Sequence, residues 1–302
     1  MRAKYKKEVG LTLLFAVILV ATIIVVAFFR RHNVAILEPR GTIAHQERNL
    51  MLVALLLCAI VVIPVFALTI LIALKYREGN TKKKHYSPNW EGGRWMEVTW
   101  WGIPFAIIFV LAIITWNSSY NLDPYKALAS NNKTMRIQVV SLDWKWLFIY
   151  PDQNIATVNY VRFPVNTPVN FEITSDSVMN SFWIPNLGGQ IYAMPGMSTD
   201  LNLMASKAGA YSGSSANISG QGFSDMDFTA TASSKQDFKT WLSSVKKSTA
   251  SLSENTYSKL AKPSLHNQIA YYSSVKSGLY DQIVDRYMGP MAQMPGMHGE
   301  GQ

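Results

Sequence analysis

Residues 50–74 read LMLVALLLCAIVVIPVFALTILIAL, an apolar run without a charged side chain. A helix rising 1.5 Å per residue needs about 20 such residues to cross about 30 Å of hydrocarbon, so this run is long enough to span a membrane. Pro64 lies in its interior. It would break a helix in water, but inside a bundle neighbouring groups satisfy the freed carbonyl, and a kink is expected there.

Outward from this run, residues 98–116 form a second span that opens with Trp100 and Trp101 and closes with Trp116. That is the aromatic placement of two membrane–water interfaces. Between the two spans lie six basic residues, Lys75, Arg77, Lys82, Lys83, Lys84 and Arg94. Such a connection stays cytoplasmic, which places everything after residue 116 on the outer face. Residues 30–49, with Arg30, Arg31, Arg40 and Arg48, then lie outside and oppose this bias with a lower density of charge.

Upstream, residues 11–29 are also apolar and follow Arg2, Lys4, Lys6 and Lys7. This is either a cleaved secretory signal or an uncleaved first helix. The run exceeds the about 7–15 apolar residues of a signal and ends in Phe28-Phe29-Arg30-Arg31 without a small-x-small site, which favours retention.

The composition agrees with a membrane anchor. Of 302 residues (33.8 kDa), 49% are hydrophobic and only 16% charged, against about 25% charged in soluble domains. A single cysteine, Cys58, excludes an intrachain disulfide, an iron–sulfur cluster and a cysteine-rich zinc site. The formal charge of +9 raises the question of nucleic acid. Residues 1–116 hold 14 Lys and Arg against 6 Asp and Glu, and residues 117–302 hold 14 against 13. The basicity therefore belongs to the membrane part, and no nucleic-acid partner is expected.

From residue 135 the chain turns to short runs rich in Val, Ile, Phe, Tyr and Thr, punctuated by Pro, Gly, Asn and Asp. Strands are expected at 135–140, 144–149, 156–163, 169–174, 181–184, 199–204, 209–212 and 226–232, enough for a two-sheet antiparallel sandwich. After Ser233, helical periodicity recurs at 236–242 and 280–287, and residues 289–302 read as an unstructured tail.

Four motifs occur in order: the basic helical hairpin, Trp144-Lys145-Trp146, the run VMNSFWIP at 178–185, and YAMPGM at 192–197. Together they resemble subunit II of the haem–copper oxidases. The resemblance implies a membrane-anchored α plus all-β fold, with a transmembrane hairpin and an exported cupredoxin-like β-sandwich followed by C-terminal helices. The segments are then 1–32 (signal-anchor or signal peptide), 33–118 (hairpin), 119–233 (cupredoxin-like domain) and 234–302 (helical region and Met-rich tail).

In the cytochrome c-oxidising branch of that family the sandwich holds a dinuclear copper centre. Its ligands lie in Val-x-His-Ser-x-x-Ile-Pro and Cys-x-Glu-x-Cys-x-x-x-His-x-x-Met motifs. Soft thiolates bridge the metals and share the electron. The matching positions here keep the spacing but not the chemistry. Asn180 stands for the first histidine, Ser215 and Ser219 for the cysteines, Asn217 for the glutamate and Phe223 for the second histidine; Met226 is retained. A serine hydroxyl does not ionise near neutral pH, and phenylalanine has no lone pair to give. None of the five histidines (His32, His45, His85, His266, His298) falls in the expected sandwich.

A copper-less cupredoxin of this kind resembles subunit II of quinol oxidases, most closely the cytochrome o (bo-type) ubiquinol oxidase, with SLDWKW at 141–146 and FIYP at 148–151 especially similar. The resemblance implies a role as a subunit of a proton-translocating ubiquinol oxidase that takes electrons from quinol to O₂. No cofactor would sit in this chain. Hemes and copper would lie in subunit I, which would also bind the quinol, and subunits III and IV would complete the complex. The chain would be multi-pass in the bacterial inner membrane with its C-terminal domain in the periplasm. No cytochrome c partner is expected, since the outer part lacks the acidic excess that would steer a basic donor.

Glu97 lies three residues before Trp100 and seven before Pro104, a spacing similar to that of the family's glutamate at the mouth of the K proton pathway. The plainer reading is an interfacial carboxylate near a helix N-terminus. Trp144 and Trp146 match the segment that accepts electrons in copper-bearing relatives; here, on one side of a strand, they are expected to pack against the next layer. Met288, Met291, Met294 and Met297 recur every three residues and end at His298. Exposed thioethers suit Cu(I), and a disordered end is the alternative. Some cytochrome o subunits II carry a lipobox cysteine; residues 1–57 contain none, so acylation is not expected. Two other identities remain open at this point: a stand-alone membrane-anchored copper-handling or binding protein, and a cytochrome c oxidase subunit II.

Overall fold

The computed structural model of the chain describes residues 34–76 and 92–288, with Val20, Ile23 and Ala27 as isolated positions. The expectations for residues 11–29 as a segment, for the basic connection at 77–91 and for the tail at 289–302 lie outside the described residues.

Two long helices, α1 (Thr42–Lys75) and α2 (Arg94–Asn121), carry the apolar runs. Both are long and apolar enough to cross a membrane, and neither apolar window is buried within the chain. Trp101, for example, is 79% exposed. Such surfaces need lipid or protein around them. α1 passes through Pro64 as one continuous helix.

Both helices are fixed to the same end of the β-domain. The Thr42 and Ala44 amides donate to the carbonyls of Met204 (3.2 Å) and Leu187 (3.1 Å), and those of Arg40 and Gly41 to Asn186. Gly41 is required here, because a Cβ would come within 2.4 Å of the Leu187 carbonyl oxygen. At the end of α2, the backbone and side-chain amides of Asn202 both donate to the Pro124 carbonyl. Lys75 at the end of α1 and Arg94 at the start of α2 therefore lie at the ends remote from the β-domain.

The β-domain is a two-layer sandwich. Its strands are β1 (Met135–Leu142), β2 (Lys145–Tyr150), β3 (Ile155–Val158), β4 (Tyr160–Pro164), β5 (Val169–Ser175), β6 (Asn180–Trp183), β7 (Ile191–Ala193), β8 (Thr199–Leu203), β9 (Gly209–Ser215), β10 (Asp227–Ser233) and β11 (Ala270–Tyr272). One sheet runs β11-β3-β2-β1-β5-β8 and the other β4-β10-β9-β6-β7. The pairing is mixed, since β1 runs parallel to β5 and β4 to β10.

The single strand expected at 156–163 is in fact two. Asn159 adopts φ 55°, a left-handed conformation that asparagine tolerates. The chain thereby turns from the first sheet into the second. The C-terminal region is also not wholly helical. Between α3 (Lys235–Val245), α4 (Glu254–Leu260) and α5 (Leu279–Asp285) it contributes β11 to the edge of the six-stranded sheet.

This arm explains why β2 is buried at every position. Trp146, Phe148 and Tyr150 face the core between the sheets, where Phe182 and Phe228 stack with centroids 5.1 Å apart. Leu147 and Ile149 point the other way, under Tyr257, Leu279, Tyr280, Ile283 and Val284 of the arm.

Candidate functional site

β6 and β9 pair through Phe182 and Ser215, which brings Asn180 and the end of β9 together. Residues 216–226 then loop out through a short 3₁₀ turn at Phe223–Asp225 and return into β10. The side chains expected in this region do converge. The Ser215 hydroxyl donates to Asn180 Oδ1 at 2.9 Å, and Asn180 Nδ2 donates to the Val178 carbonyl at 3.1 Å. The Ser181 hydroxyl donates to Asn217 Oδ1 at 3.1 Å. Asn180 and Ser215 are buried, as is Met226, whose sulfur lies 4.0 Å from the Ser219 hydroxyl. Phe223 opens the 3₁₀ turn.

A dinuclear copper centre does not fit this donor set. Ser215 and Asn180 spend their proton and lone pair on each other, and amide and hydroxyl groups replace the thiolates and imidazoles that soft copper needs. Hydrogen bonds here tie β6 to the end of β9 and to the loop that follows it.

Trp144 departs from the expectation. It lies with Asp143 in the two-residue connection between β1 and β2, at φ 62°, and does not share a strand face with Trp146. Its indole N–H donates to the Ser219 carbonyl at 3.4 Å, and a Cβ on Gly222 would fall 2.5 Å from its ring. Trp146 does pack in the core as expected, donating to the Met226 carbonyl at 3.3 Å.

The arm closes over this corner. Leu265 lies against Gly222 beside Trp144, and Asn267 contacts the Trp144 carbonyl. His266 Nδ1 comes within 3.0 Å of the Asp225 carboxylate, so one histidine from outside the sandwich does reach the loop. Among the described residues, no group of three or more His, Cys, Asp or Glu side chains is arranged to hold a metal ion.

Two side chains that anchor this arm carry little signal in the sequence. Lys145, 1% exposed, gives its ammonium to the carbonyls of Asp143 (3.1 Å) and Lys262 (2.9 Å) and to the Ser264 hydroxyl (2.5 Å). Burial pushes its pKa below the ordinary lysine value, against the opposing pull of the Asp143 carboxylate. The Asp176 carboxylate, 3% exposed, accepts from Arg286 (3.0 and 2.9 Å), from the Tyr287 hydroxyl (2.7 Å) and from Tyr257. Lys145 inside an apolar strand was the one visible hint, because a lysine there must find acceptors.

Glu97 is far from this cluster in the chain's order of elements. It sits exposed in the first turn of α2, at the end remote from the β-domain.

Residues 114–233 match the family described as cytochrome c oxidase subunit II, periplasmic domain, and residues 246–291 match the COX aromatic rich motif. The chain is 50% identical over 257 residues to cytochrome bo(3) ubiquinol oxidase subunit 2 of Pseudomonas putida, covering 85% of this chain and 82% of the relative. The counterpart from Pseudomonas aeruginosa is 49% identical over 268 residues, covering 89% and 81%. Ubiquinol oxidase subunit 2 of Acetobacter aceti is 48% identical over 258 residues, covering 85% and 83%. These likenesses show that the chain belongs to the ubiquinol oxidase subunit 2 family, within subunit II of the haem–copper oxidases.

Proposed function

We propose that this chain is the redox-silent subunit II of a proton-translocating ubiquinol oxidase in the bacterial inner membrane. Electrons pass from quinol to haem and copper in subunit I without crossing this polypeptide. The hairpin anchors the sandwich over subunit I on the periplasmic side, and subunits III and IV complete the assembly. The observation that supports this reading is the hydrogen bond between Ser215 and Asn180, which joins the two positions that the resemblance matches to copper ligands and offers hydroxyl and amide groups in place of the thiolate and imidazole that soft copper needs. Family membership argues against the stand-alone and cytochrome c oxidase readings.

The chain's own contribution to chemistry is then confined to Glu97. A carboxylate at the inner end of a span can collect protons and pass them to a partner. Its place in the first turn of α2, remote from the β-domain, supports that role.

Purification of the tagged chain in mild detergent tests the assignment. A larger haem-bearing partner and quinol-dependent oxygen uptake are expected. A colourless single chain would overturn it.

A further inference from the structure

A groove of about 540 Å³ lies on the sandwich between the start of β1 and α3. Met135, Phe238 and Leu242 give it an apolar floor. Lys133, Lys235 and Lys239 stand exposed around it, against one carboxylate, Asp152, among the described residues that line it. We propose that this groove seats the headgroup of an anionic phospholipid from the bilayer that α1 and α2 cross.

The groove opens at the end of the β-domain that carries the two helices. Gly41, which precedes α1, bridges to Ala205, and the Ala205 carbonyl accepts from the Asn166 amide at 2.9 Å. The Asn166 carbonyl accepts from Asn132 Nδ2 at 2.8 Å, and Asn132 Oδ1 accepts from the Lys235 ammonium at 2.7 Å. An unbroken series of polar contacts therefore runs from the start of α1 to the rim of the groove. Strand direction agrees, because β1 begins at this end and β2, antiparallel to it, finishes there just before Asp152.

Depth and charge favour a lipid headgroup as the occupant. Thr42 precedes Leu50, where the apolar run starts, by eight residues, or about 12 Å along the helix. Headgroups extend about 5–7 Å beyond the hydrocarbon, so the gap that remains is shorter than the Debye length of about 8 Å at physiological salt. Among the described residues, the ammonium groups of Lys133 and Lys239 have neither an ion pair nor a hydrogen bond, which leaves them free to meet a phosphate. Asp237, in the first turn of α3, does not cancel them from the groove wall; its carboxylate accepts from the Ser234 hydroxyl at the helix cap. The apolar floor suits the glycerol and first methylenes of a lipid rather than a fully hydrated ion.

Nothing in this arrangement depends on the oxidase reaction, and photolabelling of the assembled complex tests it without reading activity. The complex is reconstituted into phosphatidylcholine bilayers with a small fraction of a phosphatidylglycerol analogue that carries a diazirine on its headgroup. After irradiation and digestion, mass spectrometry locates the label. Label is expected in residues 126–136 and 235–245 of this chain, displaced by unlabelled phosphatidylglycerol but not by inorganic phosphate. A lysine near an anionic surface is worth about a fivefold change in binding, so Lys133→Gln with Lys239→Gln should lower the label at least about fivefold, while Lys133→Arg with Lys239→Arg should keep it. Lys235 is left in place because its bond to Asn132 joins α3 to the chain that follows α2. No label in these segments, equal labelling by a phosphatidylcholine analogue, displacement by inorganic phosphate, or full labelling of the double glutamine variant would each overturn the proposal. A lysine-directed crosslink from Lys133 or Lys239 to another subunit would also overturn it and assign the groove to that subunit.

Discussion

The hydroxyl of Ser215 at the end of β9 lies 2.9 Å from the side-chain carbonyl of Asn180 at the start of β6, and both residues are buried. Ser215→Ala leaves that carbonyl without its donor, at a cost of about 1–3 kcal/mol. Thermal unfolding of the purified chain should show a lower midpoint, with no change in haem content of the complex. An unchanged midpoint would mean that the bond contributes nothing to the corner.

Gly222 leaves room for the Trp144 indole. An added Cβ would meet Trp144 at 2.5 Å and Leu265 at 2.6 Å, so Gly222→Ala forces one of them aside. Overpacking of this kind costs about 1–3 kcal/mol. Adding Leu265→Ala should recover part of the loss, because it clears one of the two obstacles. Denaturant midpoints of the single and double variants check this; a double variant no more stable than Gly222→Ala would contradict it.

Tyr257 offers a test by pH. Burial, followed by its contact with the Asp176 carboxylate, pushes its pKa well above the ordinary tyrosine value. Below about pH 10 folded and unfolded chains both keep the proton. Above it the unfolded chain releases the proton first, so stability falls as pH rises, by up to about 1.4 kcal/mol per pH unit for one group. Tyr257→Phe should flatten that fall in alkaline urea titrations. Tyr150 and Tyr280 shift in the same direction and preserve the rest of it.

At the opposite end of the molecule, Glu97→Gln should slow quinol-dependent oxygen uptake several-fold while haem content and subunit composition stay normal. Unimpaired uptake in an assembled variant would return Glu97 to the role of an interfacial carboxylate that favours the start of α2.

Much of this architecture is written in local patterns. The spans announce themselves by length, and the strands from β1 to β6 by Val, Ile and aromatic content between turn residues. The corner of Asn180, Ser215, Asn217, Ser219, Phe223 and Met226 was legible because a motif's spacing survives when its chemistry is replaced. What escaped depends on long-range contacts. β7 and β11 are three residues each, too short for any periodicity, and β11 exists only because β3 presents an edge for it. The left-handed turn at Asn159 split one expected strand and the one at Trp144 moved the start of another to Lys145, since neither residue is a glycine that would have marked the bend. His266 and Asp176 acquire their partners only when the arm folds back, across 41 and 110 residues of sequence respectively.

The central claim is that electrons bypass this polypeptide, and the most direct test is a copper count with EPR on the purified complex and on this chain separated from it. The account predicts copper and haem only in the partner subunit and no copper signal from the separated chain. A mixed-valence copper pair bound to this chain would contradict it.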